Sequence, residues 1–306
     1  MRDTNAFAIV KLLPMSGVYL GGCYVTAPSN VMEMYQQFCL LRCLSFTVND
    51  SVLSPDPSTL FTTSGMQKHK PTFLSPTVSQ TITDIQHCLR LNDLHEIGDG
   101  THYLDFYMLG LFSFNDWTVQ QGVDFWMDFC SFIGVVPDTV TIHPDCPQWQ
   151  CLYDKYPVNV TFDPDCKWSD GSIGGYCTEF YKNGVEIGNI VNPLGQHLDC
   201  GFGMERLQSF CSNMDPPTCE VVLFRTIEVL LNSGVVPGNS QQGYVLRKLI
   251  RKGIDGRLPS HELVEKERRR VERIRKDVPR LLKKHPNSPP EFFWETYGIS
   301  KDDLTL

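Results

Sequence analysis

The 306-residue sequence has no CxxC pair, no HxxxH pair and only eight histidines. These are the local spacings by which zinc sites are read from sequence, so no zinc and no other bound metal are expected from them. Twelve cysteines without a pairing pattern, in a chain with no secretory leader, point to reduced thiols and a cytoplasmic setting rather than a disulfide framework. No apolar run reaches the roughly 18 residues that a bilayer crossing needs. The longest candidate, "AFAIVKLLPMSGVYLGGCYV", is interrupted by Lys11 and Pro14 and reads as a strand or extended arm. No membrane partner is expected. Internal repeats and low-complexity tracts are also missing, which excludes a solenoid or propeller.

Basic residues are scarce before Arg247, with 11 of the 27 Lys and Arg, although the chain is long enough and at 42% apolar enough to bury a core. Residues Arg247 to Lys284 hold 15 of them against 6 acids, a net of +9, so the rest of the chain carries −17 of the overall −8. Glu262, Glu265, Glu267 and Glu272 interleave with the basic residues at helical spacing. A solvated helix face explains that run, and so does a nucleic-acid surface.

Along the chain, "SNVMEMYQQFCLLRCLSF" has a polar cap and helical apolar spacing, and Pro55 and Pro57 mark the loop behind it. "TLFTTSGM" and "HYLDFYMLGLFSF" read as strands and "VDFWMDFCSFIGVV" as a helix. "PVNVTF", "YCTEFY" and "EIGNIVN" add short strands of a mostly antiparallel sheet. Helical patterns follow in "VVLFRTIEVLLNSG", "GYVLRKLIRKGI" and "SHELVEKERRRVERIRKD", the last ended or kinked by Pro279. Strands first and helices later predict an α+β fold, with a boundary near "SNMDPPT" that separates 1–212 from 213–306.

Chemistry concentrates in "QHLDCGFGMERL". A carboxylate at a strand end beside two glycines can meet an ammonium group, because the glycines let a ligand approach the backbone. The planar guanidinium of Arg206 can lie over an aromatic base or pair with phosphate. An Asp-Gly turn followed by a surface arginine accounts for the same letters. Arg90 in "HCLRLNDL" adds an anion contact in a basic-poor half of the chain.

Taken in order, these segments resemble the alanyl-tRNA synthetases, of the class II type built on an antiparallel β-sheet flanked by helices. "TLFTTSGMQKHKPTFL" is similar to the family's first block, "HCLRLNDL" and "FYMLGLFSFNDW" to its second and "LDCGFGMERL" to its third. "KWSDGSIGGYCTEFY" and "EIGNIVN" match the tryptophan-bearing loop and the next strand. "GVVPGNSQQGYVLRKLIRKGI" and "FFWETYGIS" resemble tRNA-contacting segments.

The resemblance implies an ATP-dependent alanine–tRNA ligase, using ATP with Mg²⁺. Residues 1–212 would be the catalytic domain and 213–306 a helical, basic tRNA-recognition region. Asp199 would hold the α-ammonium of alanine, Arg90 the α-phosphate, and Arg206 would pack on the adenine as the third catalytic residue. Gly203, His102, Glu186, Ile187 and Gly188 would line the nucleotide. Trp168 would close the pocket against both alanine and nucleotide, and Asn189 would hydrogen-bond the amino acid. Gln241, Arg247, Arg251, Lys252 and Glu295 would contact the acceptor stem of the tRNA.

Four departures from the family pattern stand out. Arg90 is followed at once by "LNDL" rather than by a longer Gly- and Lys-containing loop, and Gly188 stands where the family has a tryptophan, which predicts a roomier pocket. Gln241 and Glu295 replace the asparagine and aspartate that read a G·U pair, and a short basic helix over 261–285 takes the place of a larger helical domain. The expectation is a minimal, monomeric ligase without its own editing domain. The alternatives are an amino-acid-activating ligase with a different acceptor and a catalytically silent RNA-binding derivative.

Overall fold

The computed structural model describes residues 18–20, 23–25, 30–56, 58–75, 77–92, 94–212, 217–299 and 304. Most of the N-terminal apolar stretch, Pro57 and the middle of "SNMDPPT" lie outside them. Two short strands, β1 (Val18–Leu20) and β2 (Cys23–Val25), pair antiparallel. Helix α1 (Val31–Leu41) begins where the Asn30 side chain accepts a bond of 2.9 Å from the Glu33 amide, occupying one of the free N–H groups of the first turn. Then come β3 (Phe46–Asn49), a 3-10 turn at Gly65–His69 and the one-turn helix α2 (Lys70–Phe73). "TLFTTSGM" forms an isolated bridge, Leu53 to Phe61, and that 3-10 turn rather than the expected strand.

The long strands β4 (Gln80–Leu89) and β5 (Asp105–Phe114) lead to α3 (Val119–Ile133), which has a reciprocal Thr118–Gln121 cap and ends at Gly134 with φ 77°. Strands β6 (Thr139–Ile142), β7 (Asn159–Phe162), β8 (Lys167–Ser169), β9 (Gly174–Lys182), β10 (Val185–Val191) and β11 (His197–Gly203) follow. The sheet runs β3-β4-β5-β11-β10-β9-β6-β7, with β8 on β9. Only the β3–β4 and β6–β7 pairs are parallel. This is the mostly antiparallel sheet that the strand pattern predicts.

Alternation along the strands gives the sheet two faces. On one, Ile85, Leu109, Leu111, Phe180, Ile190, Leu198, Cys200 and Phe202 form the main core with α1, α3 and α4 (Met204–Cys211). Trp126 from α3 stacks on Phe202 with ring centroids 3.9 Å apart, and Tyr35 stacks behind it at 5.5 Å. The opposite face carries Asp84, Asn189 and Asp199 and is roofed by the Gly65–Phe73 segment and the β8–β9 hairpin.

Five helices complete the described chain: α5 (Cys219–Asn232), α6 (Gln241–Lys252), α7 (Glu262–Lys276), α8 (Val278–Lys284) and α9 (Pro290–Tyr297). Pro279 sits in the first turn of α8, directly behind the end of α7, where the sequence predicts a stop. Helices α5, α6 and α7 share a core with Val52, Phe61, Leu89, Ile97 and Leu104, so the helical half packs onto one end of β4 and β5.

Candidate active site and basic helical face

The floor of the site is set by register. Asp84, Gly110, Gly201, Asn189, Glu179 and Thr141 lie directly opposite one another on six adjacent strands, and Ile82, Phe112, Asp199, Val191 and Cys177 form the next row. Directly paired residues project from the same face, so a trough with no side chains at Gly110 and Gly201 runs between acids and Asn189. At Gly110 a Cβ would lie 2.7 Å from Asp84 Oδ1, and at Gly201 2.9 Å from Met108 Sδ. The buried Asp84 and Phe112 side chains leave no room for a larger residue at Gly110, whereas at Gly201 the Met108 side chain would have to shift.

Asp84 is 1% exposed and paired to Lys68 Nζ at 2.7 Å and His69 Nε2 at 3.0 Å, while its Oδ1 has no hydrogen-bond partner. Burial pushes the Asp199 carboxyl up to about 7; the neighbouring Asp84 adds to the rise and Arg90 opposes it. Such a carboxyl needs a cation beside it to ionise comfortably. Trp168, on β8, packs against Ile173 and the ring cluster of Phe112 and Phe114 on one side and against Cys166, Cys177 and Val191 on the other. It therefore closes the Asp199 end of the trough. Asn189 is half-buried in the adjoining row.

The other end lies four residues along β11, or roughly 14 Å at the rise of an extended strand. There Gly203 opens α4, and Arg206 is oriented by three acceptors: Thr101 O at 3.2 Å, Glu186 O at 2.9 Å and Glu186 Oε2 at 3.3 Å. The guanidinium plane is fixed before any ligand arrives. Arg90, just past β4, donates from Nε to Thr63 O at 2.8 Å and lies over the Phe106 ring at 5.1 Å. Arg90, Asp199, Arg206, Trp168, Glu186, Asn189 and Gly203 thus all border one surface of the sheet.

Three expected nucleotide contacts do not fit as side chains. Ile187 is fully buried in the main core. Gly188 points the other way from the site: a Cβ there would sit 2.3 Å from the Phe202 ring. The expectation of a roomier pocket is therefore not met, because the space belongs to Phe202 and the Trp126 ring behind it. Gly188→Ala is expected to cost about 1–3 kcal/mol by overpacking, read from urea unfolding, with little change in ligand affinity. His102 has both ring nitrogens engaged, Nδ1 with Asp99 at 2.6 Å and Nε2 with Glu96 at 3.0 Å, and so offers no donor to a phosphate.

On the helical side, Arg247 and Arg251 do not face outward as expected. Arg251 Nη2 lies 2.9 Å and Arg247 Nε 3.3 Å from the buried carboxylate of Glu267 on α7. Both charges are spent within the protein. Lys252 is exposed, as are Gln241 and Glu295; Glu295 and Trp294 face Tyr244 and Lys248 across a groove between α6 and α9. None of the five residues expected to contact the acceptor stem lies on α7 or α8, although the basic run over 261–285 marks both helices in the sequence. Lys266, Arg269, Arg273, Lys276, Arg280 and Lys283 are all exposed there, at spacings of three and four, which puts the first four on one stripe of α7 and the last two on one face of α8. Their 3.4-residue average spacing is the available signal.

One further cluster forms on the sheet: Cys166, Cys177 and Glu179 have donor atoms within 4.8 Å of one another. Among the described residues no helix is long and apolar enough to cross a membrane.

Residues 45–148 match the family model for class II (A) tRNA synthetases. The alanine–tRNA ligase of Chlamydia caviae is 28% identical over a match covering 65% of this chain and 32% of that protein. That of Desulfitobacterium hafniense is 26% identical, covering 65% and 31%. Among solved structures, an aspartyl-tRNA synthetase from Entamoeba histolytica overlaps 63% of this chain with a TM-score of 0.41 and 11% identity, too little to bear on the assignment. Over 65% of its length the chain is similar in sequence to alanine–tRNA ligases, and it spans about a third of theirs.

Proposed function

We propose that the protein activates L-alanine with ATP and transfers the alanyl group to the 3′ end of a tRNA. The observation that carries this reading is the spacing of Asp199 and Arg206 at the two ends of one strand-lined trough. In that arrangement Asp199 pairs with the α-ammonium, and Asn189 and Trp168 bound the small side chain. Arg206, held flat by Glu186 and Thr101, covers the base, with Gly203 and the backbone of 187–188 beside it.

The amino-acid carboxylate is already an anion, so no protein base is needed for its attack on the α-phosphorus. The new bond forms between carboxylate oxygen and phosphorus while the bond to pyrophosphate breaks. Arg90 stabilises the charge that accumulates on the phosphoryl oxygens. Mg²⁺ enters as part of the nucleotide substrate, and Glu186 is the half-exposed carboxylate at that end which fits a shared contact with it.

The division into a catalytic unit over 1–212 and a tRNA-recognising unit over 213–306 belongs to the same proposal. Gln241, Lys252 and Glu295 are the residues suited to the acceptor stem, and the basic faces of α7 and α8 are suited to phosphates. Arg273→Ala with Lys276→Ala is expected to weaken tRNA binding uniformly across sequences. It should reduce the slope of log affinity against log salt by roughly 1.5 to 2, as measured by filter binding. The whole reading is tested by charging alanine onto matched transcripts with the acceptor-stem G·U pair intact or changed to G·C. Charging of the G·U form alone supports recognition through Gln241 and Glu295. Absence of charging of either, with adenylate formation intact, favours a different acceptor.

A further inference from the structure

The geometry points to a zinc site built from Cys166, Cys177 and Glu179, which clamps the base of the hairpin that carries Trp168. Cys166 immediately precedes β8, Cys177 lies on β9, and Glu179 is two residues on, on the same face of β9. The Cys177 amide donates to the Cys166 carbonyl at 3.0 Å, so the two thiols leave adjacent strands side by side. Thr141, opposite Glu179 on β6, brings its hydroxyl to 2.8 Å from Cys166 Sγ and 3.4 Å from Glu179 Oε2. The Tyr181 hydroxyl donates to Glu179 Oε2 at 2.7 Å.

The donor atoms all lie within 4.8 Å of one another, with Cys177 Sγ 3.8 Å from Glu179 Oε1, so small rotations of the side chains would close them around a tetrahedral ion. Metal–sulfur bonds of about 2.3 Å and metal–oxygen bonds of about 2.1 Å put ligand atoms roughly 3.5–3.8 Å apart. Two thiolates with one carboxylate select zinc over magnesium or calcium, which prefer oxygen donors throughout. Thr141 and Tyr181 supply the hydrogen bonds that hold the carboxylate in place. The cysteines are 0% and 3% exposed and Glu179 is half-buried, so a three-ligand site keeps its fourth position on the Glu179 and Thr141 side.

The position gives the site a consequence. Trp168 pairs with Gly175, one step up the hairpin from the Lys167–Tyr176 pair that adjoins the two cysteines. An ion bridging Cys166 and Cys177 fixes the origin of both hairpin strands and with them the indole that closes the Asp199 end of the trough. The inference does not depend on which acceptor the protein uses.

The test is metal analysis of the full chain purified without chelator, followed by replacement with Co²⁺ and visible and near-ultraviolet spectroscopy. The expected result is about one zinc per chain and, after exchange, tetrahedral cobalt bands with a thiolate-to-metal transition. That transition should disappear in Cys166→Ser and in Cys177→Ser. Glu179→Gln, the mildest change, should keep the thiolate transition and alter the ligand-field bands, with circular dichroism reporting that each variant is folded. No retained zinc and no cobalt spectrum would overturn the site. So would zinc retained in the double cysteine variant, or a Cys166–Cys177 disulfide in the untreated protein by mass spectrometry.

Discussion

Asp199→Asn is expected to lower alanine-dependent ATP–pyrophosphate exchange by roughly 10²- to 10³-fold while making the protein more stable at pH 8. The loss follows from leaving an ammonium group in a buried pocket opposite a neutral amide. The gain follows from the carboxyl's own environment. Burial and Asp84 raise it from 3.8 to about 7. The unfolded chain therefore ionises first, and stability conferred by this group falls as pH rises from about 4 to 7 and stays reduced above 7. Each pK unit is worth about 1.4 kcal/mol, so after relaxation the variant should gain roughly 1–3 kcal/mol at pH 8. Near pH 4 the two proteins should converge. The same ionisation predicts that KM for alanine rises as pH drops below about 7. Equal exchange rates for variant and parent, or a destabilised variant at pH 8, would show that Asp199 is not the ammonium partner in a desolvated pocket.

Arg225→Met is expected to cost about 3–5 kcal/mol of stability, the usual result of removing one member of a buried ionic network. Arg225 on α5 donates from Nε to Asp105 Oδ2 at 2.8 Å, from Nη2 to the Asp105 carbonyl, and reaches Glu205 Oε1 at 3.2 Å. Asp105 also accepts from Thr226 Oγ1 at 2.7 Å, and Glu205 Oε2 accepts the Tyr107 amide at 2.9 Å. Asp105 and Glu205 are 2% and 9% exposed, so Glu205 would be left without its cation and Asp105 with the His87 ring, at 3.4 Å, as its remaining basic partner. These bonds tie α5 to β5 and α4, beside the strand end that carries Arg90. The variant should therefore unfold at lower urea with an unchanged slope, and Arg225→Lys should recover part of the loss. An unchanged midpoint would mean that apolar packing alone holds the helical half to the sheet.

Much of this site is legible in the sequence because its parts are local. Asp199, Gly201, Gly203 and Arg206 fall in eight consecutive residues, and strand periodicity makes the first three share a face. β5, β9 and β10 declare themselves by aromatic and β-branched content. β4 is less legible: seven consecutive buried residues include Thr83, Asp84, Gln86 and His87, whose partners lie far off in sequence. Pairings across the fold hid the rest. Glu267 neutralises Arg247 and Arg251 from 20 and 16 residues away, so a basic helix loses two of its charges to a partner that spacing rules do not reveal. Gly188 invited a reading as a widened pocket, yet a bulge between Glu186 and Gly188 turns it toward Phe202. Cys166 and Cys177 are eleven positions apart with a hairpin between them, outside any short metal motif.

The most direct test of the central claim is ATP–pyrophosphate exchange by the purified chain with alanine, serine and glycine compared against no amino acid. The account predicts exchange that requires an amino acid, is fastest with alanine, and collapses in Asp199→Asn while the variant stays folded. Exchange that is absent with alanine, in a protein that is folded by circular dichroism, would contradict it.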